Sequence, residues 1–425
     1  MRTSRMSNDS RQITERERQR RGGRPEPERR RKGEGRRTSE KERQGNSGRN
    51  VKAKEHQKRE GDRKAASKDR QKLKRKKRRR RTLLLVFELL ILSVLCVAGY
   101  AMLKLGKLDI NILNPNKLEV YKDTGPYTNI ALFGLDSRNG ELEGGVQSDC
   151  IMIASINNET SDVKLISVYR DTLLMQEDGS YEKANAAYNR GGPEAAISLL
   201  NRNFDLDIRN YVSVNFSALV DVIDALGGLE VDMTQEEAFY SNGYAFETAQ
   251  VVGKEMIKID EVAGTQLLDG VHAVGYARIR YTTGNDFKRT ERQREILKKT
   301  AEKAKQADLF TLNKIVNEVF PQISTSLSIT DMLGFAANIM NYDIVETTGF
   351  PYAVTTDDSV RNHEGSYVVP IGFINNVTQL HQEIFGENDY MPSEKVKQID
   401  QDIVWLTGVT EDTTAMKTTF EGDGE

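Results

Sequence analysis

NIALFGLDSRNGELEGGVQSDCIMIASINNETSDVKLISVYRDT, residues 129–172, decides the fold. Within it, 129–133, 150–156 and 163–168 are short runs of apolar and β-branched residues, each bounded by Gly, Asn, Asp or Ser. Runs of this kind read as buried strands, because a strand covered on both faces needs apolar side chains at nearly every position. Downstream, 192–204 and 216–226 carry apolar residues at helical spacing, and the second stops at Gly227-Gly228. Strands alternating with helices predict an α/β fold, here a three-layer α-β-α sandwich. From Arg289 the pattern is mostly helical to about residue 341. It is then mixed, with an apolar segment at 368–371 and an amphipathic helix over 373–385.

Outward from this core the composition changes abruptly. The formal net charge of −1 hides two opposite halves: residues 1–81 hold 34 Lys and Arg against 12 Asp and Glu, and the remainder 28 against 51. Residues 1–81 are poor in aromatic and branched apolar side chains, so burial cannot offset the entropy of ordering them, and they read as a disordered basic tail. Residues 82–103, TLLLVFELLILSVLCVAGYAML, form a run of 22 whose only charge is Glu88. A helix of that length reaches about 33 Å, enough to cross a bilayer. The basic cluster at 74–81 precedes it and only Lys104 and Lys107 follow closely, which predicts a single-pass membrane protein with its N-terminus cytoplasmic and its C-terminal domain extracytoplasmic. A polar tether at 104–124, a folded domain at 125–390 and an acidic, mostly disordered tail at 391–425 complete the expected organisation. Cys96 and Cys150 fall in different compartments, so no intramolecular disulfide is expected. The tail lacks aromatic residues for base stacking, so specific nucleic-acid binding is not expected; the bilayer surface is its expected partner.

The outer domain is acidic, yet ARIRYTTGNDFKRTERQR at 277–294 carries five arginines. Arg278 and Arg280, two apart, are expected on one side of an extended strand, while Arg289, Arg292 and Gln293 share a helix face. Guanidinium forks suit phosphate, and the alternative is a solvated, salt-bridged surface. Asp136 and Asp149 fall at strand ends, where a carboxylate either caps a turn or, paired, serves a hard divalent cation that also draws phosphate oxygens. Arg170 and Asp171 close the next strand.

In order along the chain, GLDSR, the SD of QSD, SVYRDT, KANAAYNRGG, NYVSVNFSALVDVIDALGGLEVDM and LDGVHAVGYARIRYTTGNDFKRTERQREIL resemble the successive motifs of the LytR-CpsA-Psr family of bacterial envelopes. Two departures are Gln147, where many members have Arg before the SD, and Tyr169, where many have Pro before the RD. The resemblance implies a phosphotransferase that moves a glycopolymer, of the wall teichoic acid or capsule type, from a polyprenyl diphosphate carrier onto peptidoglycan. It implies Asp136 and Asp149 as ligands of Mg²⁺, or of Mn²⁺ in its place. Arg138, Arg170, Arg278, Arg280, Arg289 and Gln293 are implied as the diphosphate site, with Asp286 orienting an arginine or accepting the proton. The apolar stripe Phe216, Leu219, Val220, Ile223 and Leu226 is either a wall of the lipid cavity or plain core. A membrane-bound regulator of envelope genes, a non-catalytic lipid-glycan scaffold and a pyrophosphatase are the rival readings.

Overall fold

The computed structural model describes residues 108–136 and 145–418, together with 106 and 142; the expected basic tail and membrane helix lie outside the described residues. Among the described residues no helix is long and apolar enough to cross a membrane.

Strands β1 (Asp109–Ile110), β2 (Tyr127–Leu135), β3 (Ser148–Asn157) and β4 (Asp162–Val168) precede a small hairpin, β5 (Leu173–Met175) and β6 (Tyr181–Lys183). Helix α1 (Ala186–Phe204), strand β7 (Asn210–Asn215) and helix α2 (Phe216–Ala225) follow. Paired strands β8 (Leu229–Met233) and β9 (Gly264–Leu268) enclose helix α3 (Gln235–Val252). Next come α4 (Gly270–Arg278), α5 (Asn285–Lys305), α6 (Leu309–Val319), β10 (Ile323–Thr325) and α7 (Ile329–Ala337). The remaining elements are β11 (Asp343–Phe350), β12 (Val354–Asp357), β13 (Tyr367–Pro370), α8 (Phe373–Phe385) and α9 (Glu394–Thr407).

Seven strands form one mixed sheet in the order β1-β10-β7-β2-β3-β4-β11. Central β2 runs antiparallel to β3 and parallel to β7. Its alternation sends Ala131, Phe133 and Leu135 to one face, where α1, α8 and α9 cover them. Ile130 and Leu132 point to the other face, against Leu297 of α5 and Phe335 of α7. Helices on both faces make the layered α/β arrangement expected from the alternating strands and helices. A separate apolar cluster binds α2, α3, α4 and α5 to β8 and β9, and this lobe carries half of the site described below.

The segment expected to be a mostly disordered tail after residue 390 contains α9, whose Val396, Ile399, Ile403 and Leu406 are buried in the main core. Ser393 caps it by accepting from the Val396 N–H at 3.1 Å, and donates to Asp205, the left-handed C-cap of α1, at 2.7 Å. The tether expected over 104–124 also belongs to the fold: β1 extends the sheet beside β10, and Leu118 is buried in the main core. Truncating the fully buried Ile399 to alanine is expected to cost about 3 kcal/mol, the usual scale for a large-to-small core change. Urea denaturation of the full chain reads this as a lowered midpoint, and a midpoint unchanged from wild type would show α9 to be peripheral.

Candidate active site

The antiparallel pairing of β2 with β3 places two carboxylates at the same end of these strands. Leu135 pairs with Ser148, the Asp136 N–H donates to the Gln147 carbonyl at 3.2 Å, and Asp149 is the second residue of β3. Arg170 follows β4, the antiparallel neighbour of β3, and so reaches back toward the same end. The opposing wall comes from the helical lobe. Arg278 is the last residue of α4, Arg280 lies just beyond it, and Asp286, Arg289 and Gln293 lie on α5. Gly284 precedes α5 with φ 92°, a left-handed turn that suits glycine.

The strand expected for Arg278 and Arg280 is therefore corrected to a helix end and a connecting segment. The helix forms because Asp269 caps it, accepting from the His272 N–H at 2.9 Å. Gly275 then lets it touch α3; a Cβ there would lie 2.7 Å from the backbone nitrogen of Ala245. That close approach fixes Arg278 near Tyr244 of α3, with its guanidinium 4.9 Å from the Phe216 ring centroid and 5.9 Å from that of Tyr244.

A chain of charges links the two walls. Arg170 Nη1 donates to Asp149 Oδ1 at 2.5 Å, and Arg280 Nη2 is 3.5 Å from Asp149 Oδ2. Asp286 sits among three guanidiniums, with Arg289 at 3.0 Å, Arg280 at 3.9 Å and Arg170 at 4.0 Å. Burial alone would raise the Asp149 carboxyl, but Arg170, Arg289 and Arg280 outweigh it and hold it below the ordinary value. For Arg170, burial disfavours the charge and the carboxylates of Asp149, Asp286 and Asp171 more than restore it. Arg289 is the exception. Burial, together with repulsion from Arg170 and Arg280 and despite the pull of Asp286 and Asp149, brings it down to about 10, still charged near neutrality. Its side chain is 2% exposed, and among the described residues its Nε and Nη1 donors have no hydrogen-bond partner. Arg289 nevertheless lines a cavity, and a guanidinium held charged on such a wall suits an anion.

That cavity, of about 270 Å³, is lined by Asp136, Asp149, Arg278, Arg280, Arg289 and Gln293, with Phe216, Tyr244, Glu247 and Tyr281 completing the wall. The last three are not expected from the sequence, because Tyr244 and Glu247 of α3 meet Tyr281, which follows Arg280, only through the packing of α3 against α4. Arg138 lies outside the described residues. A second cavity, of about 200 Å³ and almost wholly apolar, lies between the sheet (Leu132, Met152, Val212) and the helical lobe (Leu219, Val274, Ile296). Phe216, Arg278 and Gln293 line both cavities. Of the expected apolar stripe, Phe216 and Leu219 face this cavity, whereas Val220 and Ile223 are buried in the core of the lobe.

The helix face proposed for Arg289, Arg292 and Gln293 divides. Arg292 turns away, buried at 2%, to bond Glu237, the Ile279 carbonyl and Thr282. Asp171 is drawn off by Lys183 at 2.9 Å and by Arg170 at 3.3 Å. Among the described residues no group of three or more His, Cys, Asp or Glu is placed to hold a metal ion.

Similar proteins agree with this architecture. Two proteins named polyisoprenyl-teichoic acid–peptidoglycan teichoic acid transferase TagU resemble the chain. One, from Halalkalibacterium halodurans, is 30% identical over 227 residues, covering 52% of this chain and 69% of the relative. The other, from Enterococcus faecalis, is 29% identical over 231 residues, covering 52% and 70%. A crystal structure of an Enterococcus faecalis protein titled transcriptional regulator superposes with a TM-score of 0.51 at 22% identity, covering 70% of this chain and 98% of that one, a likeness of fold alone. The sequence pattern of one family matches residues 103–382, which include every element from β1 to most of α8. The chain belongs to the LytR_cpsA_psr (LytR-CpsA-Psr) family.

Proposed function

We propose that the protein is a phosphotransferase that moves a glycopolymer from a polyprenyl diphosphate carrier onto peptidoglycan; its TagU relatives are named as transferases of teichoic acid between polyisoprenyl-teichoic acid and peptidoglycan. The observation that carries this reading is the junction of the two cavities: a charged pocket, with Arg278, Arg280 and Arg289 among carboxylates, adjoins an apolar one across Phe216, Arg278 and Gln293. A polyprenyl diphosphate has the same division, an anionic head on an apolar tail.

In this reading Arg278, Arg280, Arg289 and Gln293 hold the diphosphate, and Arg170 and Asp286 keep those forks oriented. The hydroxyl of an N-acetylmuramic acid residue attacks the phosphorus that bears the glycan, and polyprenyl phosphate leaves. The new phosphodiester joins polymer to wall. Charge accumulates on the phosphate oxygens, so positioning and neutralisation supply most of the catalysis. Asp286 is the carboxylate assigned to receive the proton. Asp136 and Asp149 fit Mg²⁺, a hard cation that takes one or two carboxylates and completes its shell with water and phosphate oxygens; when bound it would neutralise charge on the diphosphate. We also assign residues 82–103 to a membrane-spanning helix that keeps the domain beside its lipid donor, and residues 1–81 to the cytoplasmic face.

The test uses the full chain in detergent with a labelled polyprenyl diphosphate glycan and peptidoglycan oligomers, with and without Mg²⁺. Phosphodiester linkage that requires both acceptor and metal is the expected result. Tight lipid binding without linkage under any metal would make the protein a scaffold, and release of free glycan phosphate to water would make it a pyrophosphatase.

A further inference from the structure

Beside the charged cavity lies a third recess, of about 500 Å³, walled by aromatic rings. Tyr244, Glu247 and Tyr281 line both. None of these three lines the apolar cavity, so the charged pocket has two separate rims, one leading to each neighbour. The recess is built on α3. Phe239 and Phe246, 56% and 58% exposed, lie two turns apart on one side of that helix, and Tyr240 and Tyr244 follow the same turns. Tyr281, 70% exposed, leans over it with its ring centroid 6.0 Å from Tyr240 and 6.2 Å from Tyr244. Aromatic side chains held in water around a recess are a standing cost unless a ligand covers them.

We infer that this aromatic recess binds the sugar rings of the acceptor, an amino-sugar strand of peptidoglycan. The inference rests on the transferase reading and adds to it the place of the second substrate. A pyranose presents an apolar face of C–H groups and a polar edge of hydroxyl and acetamido groups. The rings of Phe239, Tyr240 and Tyr281 match the first, and Lys258, Glu247 and Glu261 on the same walls match the second. The chemistry of the step also selects this side. In phosphoryl transfer the attacking and leaving oxygens lie roughly in line across phosphorus. The leaving polyprenyl phosphate is drawn toward the apolar cavity, so the acceptor arrives from another rim, and the rim through Tyr244, Glu247 and Tyr281 opens into the recess.

Gly243 provides a clean probe. It lies within α3, lines the recess, and a Cβ built there meets nothing within 4 Å. A leucine at this position favours the helix and occupies part of the recess, and Gly243 does not line the charged cavity. The experiment compares the full chain with Gly243→Leu and with Phe239→Ala. It measures binding of a soluble oligomer of alternating N-acetylglucosamine and N-acetylmuramic acid, binding of polyprenyl diphosphate, and the KM of each substrate. Oligomer affinity is expected to fall about tenfold in each variant, the acceptor KM to rise in step, and polyprenyl diphosphate binding to stay as in wild type. Oligomer affinity unchanged in both variants would overturn the inference while leaving the transferase reading intact. So would a rise in donor KM alone, which would place the donor glycan in the recess. Loss of binding to anionic phospholipid vesicles with oligomer affinity intact would overturn it in favour of a membrane contact. If wild type binds the oligomer through the recess yet forms no linkage, the transferase reading fails and the sugar site stands.

Discussion

Asp149→Ala is expected to lower transfer by about three orders of magnitude, the scale seen when a central electrostatic element of a reaction site is removed. The carboxylate is the hub of the charged wall: one oxygen takes Arg170, the other faces Arg280, and its main-chain carbonyl lies 3.4 Å from Arg289. Removing it strips the proposed cation of one of two ligands and leaves Arg170 and Arg280 without the carboxylate that lies between them, with only Asp286 left to offset the guanidiniums. That second consequence gives the prediction its discriminating form. A pocket made more positive holds inorganic pyrophosphate at least as tightly, so affinity for the diphosphate is expected to persist or rise while the turnover number collapses. Isothermal titration with pyrophosphate beside a linkage assay reads both quantities. Parallel loss of affinity and turnover would reduce Asp149 to a structural prop for Arg170.

The second large effect is on stability. Arg292→Met is expected to destabilise the fold by about 4 kcal/mol, because truncating one partner of a buried ion pair leaves the other charge stranded. Glu237 is that partner. It also closes the capping box of α3, accepting from the Thr234 N–H at 2.9 Å, and the same arginine satisfies the Ile279 carbonyl at 3.1 Å. Three elements therefore lose an anchor together. Arg289→Met, three residues earlier on the same helix, is expected to leave stability unchanged or slightly raised, because two of its donors are unsatisfied and it is repelled by Arg170 and Arg280. Thermal unfolding of the two variants separates them; equal losses would show that Arg289 is structural as well.

This division was not legible in the sequence, although much around it was. The strands at 129–168 and the helix at 373–385 could be read because each is locally complete: period, length and flanking turn residues agree. The carboxylates at the ends of β2 and β3 could be placed for the same reason, since strand ends are local features. Arg278 and Arg280 were misplaced because YARIRY looks extended, whereas α4 depends on an aspartate cap and on contact with α3 through Gly275. Strands β1 and β10, of two and three residues, exist only through their pairing partners and leave no pattern. Helix α9 did leave one: Val396, Ile399, Ile403 and Leu406 recur at helical spacing between Ser393 and the left-handed Gly408. Its acidic surroundings obscured that period. The aromatic recess was beyond reach, because Tyr281 meets Tyr240 and Tyr244 only after α3 and α4 pack.

The clasp between Ser393 and Asp205 sets a condition on how the protein is made. The cap of α1 is held by residues that follow it by nearly half the chain, and the main core lacks four of its side chains until α9 has docked. Synthesis delivers residues in order, so the sheet's inner strands emerge long before the helix that seals one face of it. Until α9 docks, that face of the sheet is open, and the folding domain must remain soluble with it exposed.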